Sequence, residues 1–522
     1  MNNTADARDI LTVSAETQAE GFAAIFGGQT CQVVWDDEVR ATGLGGMAYF
    51  GHFLKETGLF DQWVESCPLV YTSNNAPRKR DVLGTIMAGV LNGAWRYAHL
   101  SPIQHDRILP EMLGLERLVS EDSVRRALKQ VEGCERMAEW DGWMSKMEFA
   151  TLEPLLTEPY IVDVDTTIKP LYGHQQGAEI GYNPSKPGRP SHAVHTVFIG
   201  ALRLVLSVDV QGGKSHSAAH LGPNFWKLLD SMPREMWPGM IRGDAAFGNE
   251  GWMKECEERE ANYLFKLRQT RNVRKVVKLV AHHANDMWQE VPIEGGWQVC
   301  ESDVQLAKWT KKRRVIVARR KVAAKRLKHP LQPELPLSGV PMPMCWEYSV
   351  LITSSTLAPD VLLQLYLDRA DCENVFDELK NQWGLAGFTT KDIARCRIMA
   401  RIVALLCNWW NIFARLADPS EHMEAITSRP MLLHVIAQVV THANRKVIRL
   451  CSHHGSIHEV RNGFARFNTI FNRLPAIAEQ LKQIGKYRLL LSLAFCKWLH
   501  GRLLNEVLKA DPVLAPLLAN TS

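Results

Sequence analysis

The chain has 522 residues, 46% of them hydrophobic, which is enough for three or four domains of ordinary size. Its eleven cysteines contain no CxxC pair, so the sequence argues against a disulfide framework and a zinc ribbon and predicts a cytoplasmic protein. The first residues have no apolar signal core and the longest apolar run contains arginines, so we expect neither secretion nor a membrane span.

Charge is unevenly distributed along the chain. The net charge is only +5, yet the segment from Lys308 to Lys328 holds eleven of the 61 Lys and Arg residues and no acidic residue. A concentrated basic block on an otherwise acidic protein is typical of polyanion binding, and the alternative is a basic surface strand without a partner. The candidate phosphate-binding side chains in this basic block are Lys311, Lys312, Arg313, Arg314, Arg319 and Arg320.

The N-terminal part of the chain is predicted to be helical. Residues 1–35 are polar and rich in Ala and Gly, so we expect them to be poorly ordered. Residues 36–155 have apolar residues at helical spacing, and a short helix is predicted to begin at Ser120. Arg125 and Arg126 project from that helix. Short helices with basic edges suit a DNA-binding domain of the helix-turn-helix type, but they suit an ordinary small helical bundle equally well.

The following segment has the pattern of an α/β fold. A β-rich run ends at Asp165, and Asp163 points to the same face of that strand because it lies two residues earlier. Two more strands, a helix, a strand that ends on Asp244, a second helix and a last strand follow. This order is the one expected of a ribonuclease-H-like core. The loop after the first strand contributes two cations, Lys186 and Arg189.

The predicted core is interrupted by a basic, β-like segment that ends in a Pro-rich linker at residues 329–343. We expect Trp288, Trp297 and Trp309 of this segment to be packed core side chains, the alternative being that they stack on an extruded base. The fold class is therefore an α/β ribonuclease-H-like core, with a mixed sheet flanked by helices, interrupted by a β-rich insertion domain and bounded by helical domains. The expected boundaries are 36–155 for the helical DNA-binding domain, 156–268 and 346–392 for the two parts of the core, 269–345 for the insertion and 393–522 for the C-terminal helical domain.

Four polar side chains share one narrow stripe of a predicted helix in the second part of the core. Tyr366, Arg369, Glu373 and Lys380 fall within an arc of about 60° at helical periodicity. The stripe therefore holds one carboxylate among three groups that bind phosphate oxygens. The alternative is a solvated charged face, which is the common role of such a pattern on a surface helix.

Three carboxylates are candidate metal ligands. Asp165 and Asp244 each end a β-rich run, where a sheet delivers side chains into a crevice, and the helix with Glu373 can pack beside it. Mg²⁺ prefers such oxygen ligands, and we expect Mn²⁺ to substitute for it. Three carboxylates can hold two metal ions about 3.5–4 Å apart, and such a centre carries out in-line phosphoryl transfer.

These residues resemble a known family. The stripe residues, with two, three and six residues between successive members, match the Y-R-E-K signature of bacterial insertion-sequence transposases of the DDE type. The runs around Asp165 and Asp244 are similar to the family's first and second aspartate regions, so the resemblance covers roughly residues 160–388. The family's first aspartate directly precedes a threonine, which favours Asp165 over its rival Asp163.

The resemblance implies a function. It makes Asp165, Asp244 and Glu373 the catalytic metal ligands, with two Mg²⁺ ions as the cofactor. The reaction is then endonucleolytic hydrolysis at transposon ends followed by joining to target DNA. It also implies a homodimer on double-stranded DNA with paired terminal inverted repeats, associated with the bacterial nucleoid. The alternatives are a metal-dependent nuclease without strand transfer and an inactive DNA-binding repressor.

Overall fold

The fold is given by a computed structural model, which describes residues 22–157, 159–184, 186–215, 217–283, 287–323, 344–385, 387–443, 445–478 and 483–495. The strands are β1 Phe22–Phe26, β2 Gln29–Val33, β3 Ala41–Thr42, β4 Ile161–Pro170, β5 Ser191–Ile199, β6 Leu204–Gly212, β7 Met240–Gly243, β8 Tyr263–Lys266, β9 Gln289–Glu290, β10 Gln298–Val304, β11 Arg313–Ala323, β12 Met344–Thr353, β13 Ala437–His442 and β14 Arg445–Leu450. The α-helices are α1 Met47–Thr57, α2 Leu59–Glu65, α3 Lys79–Leu91, α4 Leu109–Leu113, α5 Glu121–Leu128, α6 Cys134–Leu152, α7 Ser217–Asp230, α8 Glu250–Glu258, α9 Arg271–His283, α10 Pro359–Leu367, α11 Ala370–Asn381, α12 Ile393–Ala417, α13 Ala425–Leu432, α14 Ile457–Ala478 and α15 Gln483–Ala494. The protein is therefore a mixed α/β protein with many helices.

A nine-stranded mixed sheet lies at the centre of the fold, with the strand order β6-β5-β4-β7-β8-β12-β11-β10-β9. Strands β4, β7 and β8 are parallel neighbours, whereas β5 and β6 are antiparallel to their neighbours on the other side of β4. Strand β5 is buried along its whole length, as expected of a strand whose two faces are both covered. The elements from β4 to β8 follow the order that the sequence predicts.

The strands of the predicted insertion continue this same sheet. Strand β12 pairs with β8 on one side and with β11 on the other, and β10 and β9 follow. Val315, Val317 and Val350 belong to the main hydrophobic core, so the extension buries apolar surface together with the rest of the sheet. The insertion is thus an extension of the core sheet in this structure.

Three expectations about secondary structure were wrong. The segment expected to be poorly ordered contains the hairpin of β1 and β2. The basic β-like segment begins with the helix α9, because Val273 and Val277 are buried one helical turn apart. The C-terminal helical region contains the hairpin of β13 and β14, whose β-branched residues favour strands. Residues 1–21, the Pro-rich linker and the end of the C-terminal tail lie outside the described residues.

The long helix α12 connects the sheet with the surrounding helices. Asp392 begins it by accepting a hydrogen bond from the backbone N–H of Ala394 at 2.8 Å. Its buried Arg401 forms an ion pair with Glu148 of α6, and its buried Asn408 forms hydrogen bonds with the backbone of β6. Because these polar groups have partners, the helix can be buried in protein. In the part of the chain that the structure describes, no helix is long and apolar enough to cross a membrane.

Candidate active site

Asp165 and Asp244 lie side by side at one edge of the sheet. Val164 of β4 is paired with Gly243 of β7, so the next residue of each parallel strand is one of the two aspartates. Neighbouring strands are about 4.8 Å apart, which brings the two carboxylates close together. Both aspartates line a pocket of about 470 Å³ together with Lys380 of α11 and Arg268, which follows β8. The structure thus brings together two of the predicted ligands and one predicted phosphate-binding cation.

Asp163, the alternative first ligand, has a different environment. Its side chain is completely buried, and both of its carboxylate oxygens accept hydrogen bonds from the Arg242 guanidinium at 2.7 Å. Arg242 also donates to the backbone carbonyl of Leu365 in α10. Asp163 is therefore one half of a buried ion pair beneath the pocket, while the side chain of Asp165 is still 17% exposed.

The polar stripe is divided between two helices, whereas the sequence predicts a single one. Tyr366 lies on α10, the backbone turns at Asp368 and Arg369, and Glu373 and Lys380 lie on α11. Glu373 and Lys380 are seven residues apart and so remain on the same face of α11. The division places Arg369 at the start of α11, in contact with Asp165 of β4. Contrary to the sequence prediction, the strand does not end at Asp165 but continues to Pro170, because its pairing with β5 extends that far.

Arg369 joins two of the predicted metal ligands. Its guanidinium donates a hydrogen bond to the carboxylate of Asp165 and lies 3.5 Å from a carboxylate oxygen of Glu373. The Arg369 side chain is 8% exposed, whereas that of Glu373 is 72% exposed and does not line the pocket. The third predicted ligand is therefore connected to Asp165 through a buried cation.

The electrostatics of the pocket favour the protonated form of its buried carboxylate. The pKa of Asp165 is raised to about 6, mainly by burial and to a smaller extent by the nearby carboxylates of Asp244 and Glu373, while the Arg369 guanidinium acts in the opposite direction. Burial also raises the pKa of Tyr366 to about 12. The pKa of Lys380 is lowered by burial, which the carboxylate of Asp165 partly offsets. A buried carboxylate beside other carboxylates gains from a cation that neutralises them.

Two of the three predicted metal ligands are placed where they could bind a divalent cation together. Asp165 and Asp244 present to one pocket the carboxylate oxygens that hard cations prefer. Among the described residues, no three Asp, Glu, His or Cys side chains form a group that could hold a metal ion as they stand. The guanidinium of Arg369 between Asp165 and Glu373 explains why. Two carboxylates are thus in position, and the third is held by an ion pair.

Arg268 is a pocket residue that the sequence analysis missed. It follows the last residue of β8 by two positions and is exposed at the pocket, facing the same space as the two aspartates. The signal that could have found it is the one used for Asp165 and Asp244, namely a polar residue at the end of a core strand.

Lys186 and Arg189 lie on the loop between β4 and β5. Both side chains are exposed and both contact the ring of Tyr172, at 5.0 Å and 4.6 Å from its centroid. Two other residues near this loop, Tyr182 and Pro184, line the pocket. The loop between β4 and β5 thus forms part of the pocket wall. Lys186 and Arg189 follow within a few residues of the loop residues that line the pocket.

In the part of the basic block that the structure describes, several cations form ion pairs with acidic neighbours, which makes them less available to an external polyanion than the sequence predicts. Arg313 is 2% exposed and forms ion pairs with Glu250 and Glu257 of α8. Glu257 also forms an ion pair with Lys311, whose Nζ lies 3.1 Å from its Oε2. The sequence analysis missed this because the acidic partners lie on a helix more than fifty residues earlier. Two further ion pairs join Arg314 to Glu301 and Arg320 to Glu347.

Two arginines of the basic block, Arg319 and Arg320, contact tryptophan rings. The guanidinium of Arg319 lies 3.8 Å from the ring centroid of Trp288 and 4.2 Å from that of Trp346. Arg320 lies over Trp297 at 4.7 Å. Trp297 and Trp309 are buried, as the packed-core expectation requires, and Trp288 is partly buried. Within the described part of the block, Lys312 is an exposed cation with no ion pair.

We predict that Arg313→Met lowers the free energy of unfolding by about 2 kcal/mol, because it leaves Glu250 and Glu257 without their shared cation. Chemical denaturation measures this change. Lys312→Met is the matched control, since it removes an equal charge from an exposed neighbouring side chain and should cost far less. Equal stability of the two variants would show that the buried ion pairs contribute nothing.

Arg125 and Arg126, the cations of the predicted DNA-binding helix, lie on α5. Ser120 begins this helix by accepting a hydrogen bond from the Ser123 backbone N–H, as predicted. Arg125 is 3.9 Å from Glu121 and its guanidinium lies over the ring of Tyr97. The Arg126 side chain is exposed. Both cations thus reach the surface, Arg126 fully and Arg125 in part.

Comparison with known proteins identifies the family. The family described as "Transposase DDE domain group 1" matches residues 40–471, which is most of the chain. A solved structure of piggyBac transposase, a synaptic complex with hairpin DNA, is similar with a TM-score of 0.36 and 12% identity, covering 90% of this chain and 88% of the other. Comparison with curated protein sequences gave no match. Members of the DDE family generally use divalent metal ions. The chain therefore belongs to the family of transposases with a DDE domain, which are enzymes that act on DNA.

Proposed function

We propose that this protein is the transposase of a bacterial insertion sequence of the Y-R-E-K type, working by cut-and-paste transposition. It binds terminal inverted repeats, hydrolyses the phosphodiester bonds at the transposon ends and joins the 3′ ends to target DNA. The observation that carries the proposal is the pairing of Asp165 and Asp244 on neighbouring parallel strands of one pocket. The strand order around that pair supports a ribonuclease-H-like core.

The residues of the pocket have distinct roles in this proposal. Two Mg²⁺ ions, for which Mn²⁺ substitutes, would be held by Asp165, Asp244 and Glu373 and would supply activation of the attacking oxygen and stabilisation of the leaving one. Lys380 lies at the pocket as a positive charge for the phosphate next to the bond that is cut. Arg369 has a planar guanidinium, which can donate two parallel hydrogen bonds to two oxygens of one phosphate.

Tyr366 acts as a neutral hydrogen-bond donor to the DNA backbone in this proposal. A tyrosine phenol is protonated at neutral pH and the pKa of Tyr366 is raised further, so it can donate to a phosphate without adding negative charge beside the carboxylates. Lys186 and Arg189, on the loop whose neighbours line the pocket, contact the backbone further from the scissile bond. Each of these groups positions the DNA, and positioning lowers the barrier when the reacting atoms are held in line.

The proposed partner is double-stranded DNA, bound by a homodimer. The N-terminal helical domain, with Arg126 exposed on α5, would bind the terminal repeats, and the C-terminal region would contribute to the dimer interface. We place the protein in the cytoplasm of a bacterium, on the nucleoid. Short inverted repeats on either side of the reading frame would support this assignment, and their absence would contradict it.

Strand transfer is the reaction that distinguishes the proposal from a plain nuclease. The experiment incubates the protein and Mg²⁺ with a labelled fragment that carries the terminal repeat and with a target plasmid. We expect a product in which the 3′ end of the fragment is covalently joined to the plasmid. Cleavage without any joined product would favour a metal-dependent nuclease instead.

We predict that Glu373→Ala abolishes cutting and joining but leaves the affinity for the terminal-repeat fragment nearly unchanged. The exposed Glu373 carboxylate makes an ion pair to Arg369 alone among the described residues, so the variant should fold normally. Gel-shift and cleavage assays on the same preparation measure the two properties. Glu258→Ala, which removes an exposed carboxylate from α8, serves as the control. If Glu373→Ala cut DNA at the normal rate, the catalytic role of this residue would be refuted.

A further inference from the structure

The helix α9 carries four cations on one face and was not predicted as a helix. It has no acidic residue, and Arg271, Arg274, Lys275 and Lys278 fall within an arc of about 100° at helical periodicity. All four side chains are exposed, whereas Val273 and Val277 on the opposite face are buried against the sheet. The four cations of α9 therefore form a continuous basic stripe that faces solvent.

These cations differ from those of the basic block. In the described part of the chain, Arg271, Arg274, Lys275 and Lys278 make no ion pair and no side-chain hydrogen bond. Arg313, by contrast, is buried between two glutamates. Cations without acidic partners retain their full attraction for an external polyanion, so α9 presents a positive surface beside the core that was not predicted from the sequence.

The position of the cations within α9 also favours an external anion. Arg271 and Arg274 lie in its first turn, where no acidic residue accompanies them. Cations at a helix N-terminus are unfavourable for the helix itself because they repel its partial positive charge. Their presence there costs stability, and an anion bound at that end would remove the cost.

The basic stripe begins next to the active-site pocket. Arg268 lines the pocket and precedes Arg271 by three residues, which span at most about 11 Å of backbone. Between Arg271 and Lys278 the stripe runs about 10 Å along the helix axis. One DNA strand carries a phosphate every ~3.4 Å along the duplex axis, so this length corresponds to about three phosphates.

We propose that α9 binds the DNA backbone, with its four cations contacting phosphates of the duplex segment that enters the pocket past Arg268. This inference rests on the proposed function, since it concerns the same DNA. It assigns to α9 a sequence-independent contact, because phosphates carry no information about base identity. The contact holds the duplex in register with the pair Asp165 and Asp244.

The test replaces all four cations of α9 with glutamine (R271Q, R274Q, K275Q and K278Q) in the full-length protein. Glutamine is a good helix former, so the helix should persist, and thermal unfolding followed by circular dichroism checks this. The matched control removes the same charge from four exposed lysines on other helices, with K55Q, K146Q, K227Q and K254Q. A second variant keeps the charge by exchanging Arg and Lys at the four α9 positions.

Binding of a short duplex of arbitrary sequence is measured by fluorescence anisotropy in EDTA over a range of KCl concentrations. Each lost phosphate contact reduces the slope of log affinity against log salt by about 0.9, so the glutamine variant should have a slope shallower by about 3. The surface control and the charge-preserving variant should keep the wild-type slope. An equal slope for the wild-type protein and the α9 glutamine variant would overturn the assignment of α9.

The outcomes separate this inference from the proposed function. If the surface control reduces the salt-dependence slope as much as the α9 variant does, DNA binding depends on the total charge of the protein. In that case α9 is not a DNA-binding site. If α9 fails the test while the wild-type protein still joins DNA ends, only the α9 inference is wrong. If the wild-type protein shows no salt-dependent binding to any duplex, the proposed function fails and this inference fails with it.

Discussion

Replacing Asp244 with asparagine is expected to slow DNA cleavage by at least about 10³-fold, because one carboxylate of the pocket can then no longer neutralise and hold a divalent cation. The folded structure should be retained. The amide oxygen can still accept the hydrogen bond that Asp244 now receives from the Ala246 backbone N–H at 2.9 Å. Cleavage rates of a labelled terminal-repeat fragment, measured under single-turnover conditions with Mg²⁺, report the effect.

Binding measurements complete this test. The Asp244→Asn variant should bind the terminal-repeat fragment in EDTA as tightly as the wild-type protein does, because the change leaves every cation in place. Asp230→Asn is the control, since it removes an exposed carboxylate at the end of α7, away from the pocket aspartates. Normal cleavage by Asp244→Asn would remove this residue from the active site. A loss of cleavage by Asp230→Asn as well would mean that the assay reports general damage.

Asp163→Ala is expected to lower the free energy of unfolding by about 3–5 kcal/mol, since it leaves the buried guanidinium of Arg242 without its charged partner. The same substitution at Asp165 should cost far less stability and should abolish cleavage. Asp165 also has a buried cationic partner, but the Arg369 guanidinium keeps its ion pair with Glu373 when Asp165 is lost. The burial of the Asp165 carboxylate is itself unfavourable, as its raised pKa indicates. Urea denaturation of the two variants measures the difference.

A double variant tests whether Asp163 acts through its ion pair. Replacing a buried ion pair by apolar residues of similar volume is often neutral, so Asp163→Leu combined with Arg242→Met should recover most of the lost stability. The recovered protein should also cleave DNA, although Arg242 now donates to the Leu365 carbonyl of α10. If Asp163→Ala is stable but inactive, Asp163 would be the first metal ligand and the choice of Asp165 would be wrong.

Both aspartates illustrate what a strand pattern can and cannot predict. Alternation along β4 places Asp163 and Asp165 on the same face, so periodicity alone could not separate them. The distinction depends on Arg242, which lies about eighty residues later in the chain and, of the two aspartates, forms its ion pair with Asp163. The resemblance to the transposase family selected Asp165, and the family match to residues 40–471 confirms that the chain belongs to the DDE transposases.

The basic block shows a second limit of sequence reasoning. Its eleven cations are a true property of the sequence, but whether a cation binds an external partner depends on the acidic residues that folding brings to it. Glu250 and Glu257 on α8 neutralise Arg313, while nothing in the described structure neutralises Arg271 or Lys278 on α9. Local charge density therefore indicated the basic block but did not indicate α9, whose four cations are exposed and make no ion pair among the described residues.

The sequence by itself determined the order of strands and helices in the core, the placement of Asp165 on one core strand and of Asp244 directly after another, and the family. These features depend on local periodicity and on motif spacing, which are written in neighbouring residues. Only the tertiary structure decided that Asp163 is paired with Arg242, that Arg369 lies between Asp165 and Glu373, and which cations remain exposed. The physical reason is that ion pairing and burial join residues far apart in the chain, and the free energy of a charge depends on the partners that folding supplies.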